Sequence, residues 1–314
     1  MTIDEYVAAV MSVKEPVCHE DKIHYEKLYY GTFPGMQCNE LPELKVFNTH
    51  DMCTRLLYIN LKPYLVFDDN MFRYIQLSTY SFFSDESREN YQSLFYAIRS
   101  DYLYSRRKTT EAQTVKNEMQ RYPFTLPEYS VEEKRILHNI NYVSFPLQCF
   151  HEMAHCFFVG ELQKEEIKAL VNNALQKEED CFCSTHKSHS VLTVDSHLRE
   201  EIFCDCDALY AILYLFSNFK DTISPKDIVD SAILNLIGIA LIQEAKNIGG
   251  NSYYKRIYLR ISVLSHFIKI LMNLGIIPDD SYEDVDAICK YFFEEIYPII
   301  LNTKNSLDTN TQEE

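Results

Sequence analysis

One short stretch, Phe150-His151-Glu152-Met153-Ala154-His155-Cys156, constrains this chain more than any other. Read as a helix, it places His151 and His155 four residues apart, so both imidazoles leave the same face. Glu152 lies about 100° further round, close to that face without sharing it. The flanking Leu147, Phe150, Met153, Ala154, Phe157 and Phe158 are apolar, as expected of a helix buried behind a cleft. Two neutral imidazoles can hold a metal ion, and a carboxylate beside them can take a proton from a water held there. The plainer alternative is a buried helix with two incidental histidines. A third ligand decides between the two.

The spacing is the H-E-x-x-H signature of zinc metallopeptidases. One continuation of that signature needs Gly at position 158 and His at 161, and these are Phe158 and Glu161. The other common solution takes a glutamate from a later helix. The run His197-Leu198-Arg199-Glu200-Glu201-Ile202-Phe203-Cys204-Asp205 supplies it. Glu201 and Asp205 share a face, so Glu201 can complete a His-His-Glu site for Zn2+. Asp205 can then accept the remaining N–H of a ligand histidine, fixing its tautomer. Glu200 is the alternative third ligand, and His197 a further one. Against all of these stands an acidic helix face that is simply solvated.

Glu201-x-x-Cys204-Asp205, followed by Ala208, resembles the E-x-x-A-D-x-x-A element of gluzincin-type peptidases. With Tyr253-Tyr254-Lys255-Arg256-Ile257-Tyr258 farther on, the order and spacing resemble the Lit-type phage-exclusion peptidases over roughly residues 130–265. That resemblance implies a bacterial cytoplasmic zinc protease whose substrate is a host translation factor. It also implies that Arg256 binds a substrate carbonyl or stabilises an oxyanion, with Tyr254 or Tyr253 as a phenolic donor. The family's His-Pro pair ahead of the arginine is absent, because those positions are Gly250 and Asn251. A structural ion pair is the plainer role for Arg256.

Composition narrows the partners. A net charge of -16 argues against phosphate backbones and anionic membrane surfaces, so neither nucleic acid nor membrane is expected as a partner. The opening Met1-Thr2-Ile3-Asp4-Glu5 lacks the pattern of a signal peptide, and the nearly apolar run Ala232 to Ile242 is too short to span a bilayer. A cytoplasmic location is the expectation, with the ten cysteines as thiols. Cys204 and Cys206 would point about 200° apart on a helix, which disfavours a second metal site with Cys181 and Cys183. Cys149 and Cys156 read as buried small hydrophobes, and His266 as a core histidine.

The expected fold is α+β, mostly α: a small antiparallel sheet region, then a helical bundle carrying the active helix. Residues 1–107 form the N-terminal region. Strands are expected from Leu44 to about Leu77, with Tyr64–Phe67 and Met71–Leu77 flanking a hairpin turn at Asp68-Asp69-Asn70. Ser84 to about Arg107 reads as a helix. Residues 108–130 read as a linker or long loop. The helical catalytic region covers 131–302. There Ser144 and Pro146 open the motif helix and Gly160 ends it. A helix follows at Ile167–Leu175, then a polar loop over Glu178–Val194. Asp195 or Ser196 caps a helix to about Phe216, and three more run near 225–247, 252–274 and 282–302. Residues 303–314 read as a disordered tail. A non-catalytic interaction or sensor protein retaining the helix pair is the competing functional reading.

Overall fold

The computed structural model describes residues 2–32, 41–157, 163–185, 194–216, 223–247, 253–278 and 281–310. It is mostly helical with one small sheet, the α+β class expected. The chain forms two compact units that interleave in sequence. One takes Met1–Asn141, Ile237–Ser252 and Phe292–Glu314; the other takes Tyr142–Leu236 and Tyr253–Tyr291.

The first unit holds the sheet. Strands β1 (Glu43–Phe47), β2 (Arg55–Ile59) and β3 (Lys62–Asp68) lie in the order β1-β3-β2. β2 pairs antiparallel with β3, and β1 pairs parallel with it, so the sheet is mixed rather than antiparallel. The β2–β3 turn is the two residues Asn60 and Leu61, both at positive φ, the backbone that matches strand twist. Helix α1 (Ile3–Val10) packs Ile3 and Val7 on Val66. Helix α2 (His19–Thr32) brings Tyr25 against Phe67 of the next position in β3, with ring centroids 5.1 Å apart. Alternation along β3 therefore serves two apolar layers.

The turn expected at Asp68-Asp69-Asn70 is a strand–helix junction. Helix α3 runs Asp69–Phe82, so the strand expected at Met71–Leu77 is helical. Asp68 caps it, accepting from the backbone N–H of Asn70 and Met71. Its carboxylate also accepts from the N–H groups of Thr49 and Cys53 and from the Thr49 hydroxyl. Burial nonetheless raises the Asp68 carboxyl above its ordinary range. Phe72, Ile75, Thr79 and Phe82 bury at helical spacing.

Helix α4 (Ser87–Ser105) follows, and then helix α5 (Thr109–Met119), inside the segment expected to be linker. Ala112 and Val115 bury against Tyr96 and Leu103 of α4. Helix α6 runs unbroken from Val131 to Phe157, with Pro146 in its interior. Ser144 and Pro146 therefore do not open a helix. Pro146 removes one backbone bond without ending the run. Gly160 lies outside the described residues.

In the second unit, helix α7 spans Gln163–Thr185, so the helix expected to stop at Leu175 continues through the start of the expected loop. His186 and His189 lie outside the described residues. Helix α8 (Ser196–Phe216) is capped by Asp195, whose Oδ1 accepts from Leu198 N–H at 2.7 Å. Helix α9 (Pro225–Lys246) is long and apolar enough to cross a membrane by length and composition, but 89% of its apolar window is buried inside the protein. A polar ladder ties α9 to the second part of α6: Ser144 to Ser231, Asn235 to Ser144, and Gln148 to Asn235. Helix α10 (Tyr254–Asn273) packs against both α7 and α8, and helix α11 (Ser281–Tyr291) against α10.

The helix expected near 282–302 is divided. A π-helical turn, Phe292–Ile296, follows α11, and helix α12 continues over Tyr297–Asn310, in place of most of the expected disordered tail. In the first unit α12 supplies a buried pair: Lys304 Nζ donates to Glu244 Oε2 at 2.8 Å, and the Tyr297 hydroxyl donates to the same carboxylate. Gly238 of α9 lets that helix approach α3. A Cβ there would meet Ile75 Cγ1 at 2.9 Å and its Cα at 3.0 Å.

Candidate metal centre

Three helices of the second unit converge on one cluster. From α6, four residues apart, come His151 and His155, whose Nε2 atoms face each other at 3.3 Å. From α8 comes Glu201. Its Oε2 lies 3.5 Å from His151 Nε2 and its Oε1 3.5 Å from His155 Nε2. Both imidazoles have their other nitrogen taken. His151 Nδ1 is 2.9 Å from Asp205 Oδ1, and His155 Nδ1 is 3.0 Å from Glu200 Oε1. A carboxylate can only accept at neutral pH, so each Nδ1 carries a proton and each Nε2 is the nitrogen turned inward.

Two inward Nε2 atoms and a carboxylate then face one another, an arrangement that a cation satisfies, whether a proton on His151 or a metal ion. A tetrahedral ion bound at about 2.1 Å sets its donors about 3.4 Å apart. The separations of 3.3 and 3.5 Å match that spacing. His151, His155 and Glu201 thus form a group able to hold a metal ion.

The electrostatics follow from burial and charge. Burial by itself would depress the His151 imidazole, but the hydrogen bonds and charges of Asp205 and Glu201 outweigh it and hold it well above its ordinary value. Burial would raise Glu201; the His151 contact and the Arg260 charge overcome that and hold it low. Asp205 is depressed likewise, against burial, with Arg260 as the largest opposing influence.

Glu152 follows His151 on α6 and is partly exposed, and its charge reaches His151. Glu200, the alternative ligand, sits behind His155 instead of on the inward face. His197 is largely exposed, with Nδ1 3.9 Å from Glu201 Oε1. Arg256 is not brought to the cluster: it pairs with Asp195 at 2.5 Å, tying α10 to the cap of α8. Tyr254 stacks on Tyr258, with ring centroids 5.9 Å apart.

The residue that sequence reasoning missed is Arg260, one turn beyond Arg256. It is buried, forks onto both oxygens of Asp205 at 2.8 Å, and places Nη1 3.1 Å from Glu201 Oε2. Its only signal was being an arginine among Leu259, Ile261, Val263 and Leu264. Cys149, Cys204 and Cys206 are buried free thiols, and burial raises all three. The side chains of Cys156, Cys181 and Cys183 lie outside the described part of the structure. His266 has a partner of its own: its Nε2 lies 3.2 Å from buried Glu178, which also accepts from the Ser262 hydroxyl. No family model, curated protein or solved structure matches the chain.

Proposed function

We propose that this protein is a zinc-dependent peptidase acting on an intracellular protein. The observation that carries the reading is the convergence of two Nε2 atoms and the Glu201 carboxylate, each imidazole backed by its own carboxylate. His151, His155 and Glu201 would hold Zn2+. The ion, when bound, supplies Lewis acidity, which makes water more acidic and a carbonyl more electrophilic. Asp205 and Glu200 fix the histidine tautomers and ring orientations. Glu152, next to His151 on the same helix, would accept a water proton and return it to a leaving amine. Arg256 and Tyr254 have partners away from the cluster, so an oxyanion role for either requires substrate to recruit them. The resemblance to the phage-exclusion peptidases suggests a cytoplasmic antiviral effector with a host translation factor as substrate.

A non-catalytic binding protein is the second reading. One observation favours it: Leu61 at the β2–β3 turn is 95% exposed, with exposed Tyr58 beside it on the strand. The test compares the intact protein with Glu152→Gln for metal content and for new protein termini in expressing cells. The peptidase reading expects about one zinc per chain in both proteins and new termini only with the first. New termini with Glu152→Gln, or a metal-free intact protein, would refute it.

A further inference from the structure

Arg260 commits every guanidinium nitrogen to the acids of α8. Nε and Nη2 donate to Asp205 Oδ2 and Oδ1, each at 2.8 Å, and Nη1 lies 3.1 Å from Glu201 Oε2. One planar cation therefore spans the acceptor behind His151 and the third candidate ligand. A guanidinium fork matches a carboxylate bidentately, whereas an ammonium is a point charge that cannot fix two carboxylates at a set separation. The contact also matters for charge. Glu201 and Asp205 are both largely buried, and each would be costly to ionise without a cation behind it. Arg260 thus holds Glu201 by Oε2, the oxygen that also faces His151, and leaves Oε1 presented to His155 Nε2 at 3.5 Å.

We propose that Arg260 is a positioning residue that sets Glu201 and Asp205 in their binding orientation before any metal arrives; this rests on the metal-centre reading above. The preformed fork removes the cost of ordering Glu201 at the moment of binding.

The test titrates the intact protein and Arg260→Lys with Co2+ alone, reading the dissociation constant and the visible bands. The lysine keeps the charge and loses the fork. The expected result is binding about 10- to 100-fold weaker, the usual effect of losing a group that orients a ligand, with altered bands. A purely structural arginine would lower the thermal midpoint of the metal-free variant and leave both readouts unchanged. A folded Arg260→Lys with the intact protein's dissociation constant and bands therefore overturns the proposal. Should Arg260→Lys not fold, hydrogen exchange at Arg260 Nε–H of the intact protein, followed by NMR, decides the question instead. Slow exchange with and without Co2+ is expected, and exchange as fast as a free guanidinium in the metal-free protein overturns the proposal. If the intact protein takes up no Co2+, the metal centre itself is refuted, while the Nε–H measurement still reports on the fork separately.

Discussion

Replacing the two carboxylates behind the histidines, one at a time, tests whether burial or distance governs their worth. Asp205 Oδ1 and Glu200 Oε1 stand at nearly the same distance from their imidazoles, 2.9 and 3.0 Å. Their surroundings differ sharply: the Asp205 side chain is 6% exposed and that of Glu200 42%. Water can replace an exposed acceptor and ions screen its charge, but neither reaches a buried one. Asp205→Asn should therefore weaken Zn2+ binding about 10- to 100-fold, or about 1.4–2.7 kcal/mol, whereas Glu200→Gln should stay within about threefold. Asp205→Asn has a second consequence. It removes the charge that answers the Arg260 fork, so the metal-free protein should also melt earlier, while Glu200→Gln should melt with the parent. Competition against a chromophoric chelator gives the affinities, and thermal melts of the chelated proteins give the second comparison. Equal losses of affinity, or a larger loss for Glu200→Gln, would refute the reasoning that burial sets the value of these contacts.

Two further predictions concern stability. Burial lifts the Asp230 carboxyl to about 6, against the pull of Lys226. The unfolded chain loses that proton near the usual value of about 3.9, so between the two the folded state binds more protons and stability falls as pH rises, by up to about 3 kcal/mol. The stability difference between Asp230→Asn and the parent should accordingly shift in the variant's favour between about pH 4 and about pH 6.5; urea midpoints across that range check it, and a flat difference counts against it. Gly238→Ala should destabilise by about 1–2 kcal/mol even though alanine is the better helix former, because the new methyl meets Ile75 Cα at 3.0 Å as well as its side chain. A rise in thermal midpoint would show that α9 can shift away from α3 without loss.

Elements were misread where the apolar period ran on beyond the short stretch that suggested another structure. Met71–Leu77 is a short apolar-rich run with Phe72, Tyr74 and Ile75, and so mimics a strand. Carried on to Phe82, the same residues bury Phe72, Ile75, Thr79 and Phe82 at spacings of three and four, which only a helix produces. Asp68 reinforces the ambiguity, since Asp-Asp-Asn suits a turn as well as a cap. Helix α5 is hidden for the opposite reason: its buried stripe is little more than Ala112 and Val115 in a polar segment, and the partners that stabilise it lie on α4. Pro146 looks like a helix start because proline favours the first turn. That preference cannot register that both flanking turns of α6 bury, with Ser144 and Gln148 bonded to α9. In each case a local rule stands in for a tertiary contact.

The candidate centre was more legible than the elements around it, for a physical reason. Donors at i and i+4 share a helix face whatever the rest of the chain does, so His151 with His155, and Glu201 with Asp205, could be paired from spacing alone. Countercharge obeys no such rule. Arg256 and Arg260 are themselves four apart on α10 and fall on the same stripe, so no periodicity argument prefers one. What separates them is the packing of α10 on α8, which brings the first to Asp195 at the rim and the second to Asp205 and Glu201 inside. Two buried acids on one helix face are costly to ionise without cations packed against them, and α10 supplies one in Arg260. A motif reading that stops at ligands therefore leaves buried charge unanswered. Asking which basic residue must compensate it would have directed attention to Arg260, flanked on both sides by core aliphatics, before Arg256.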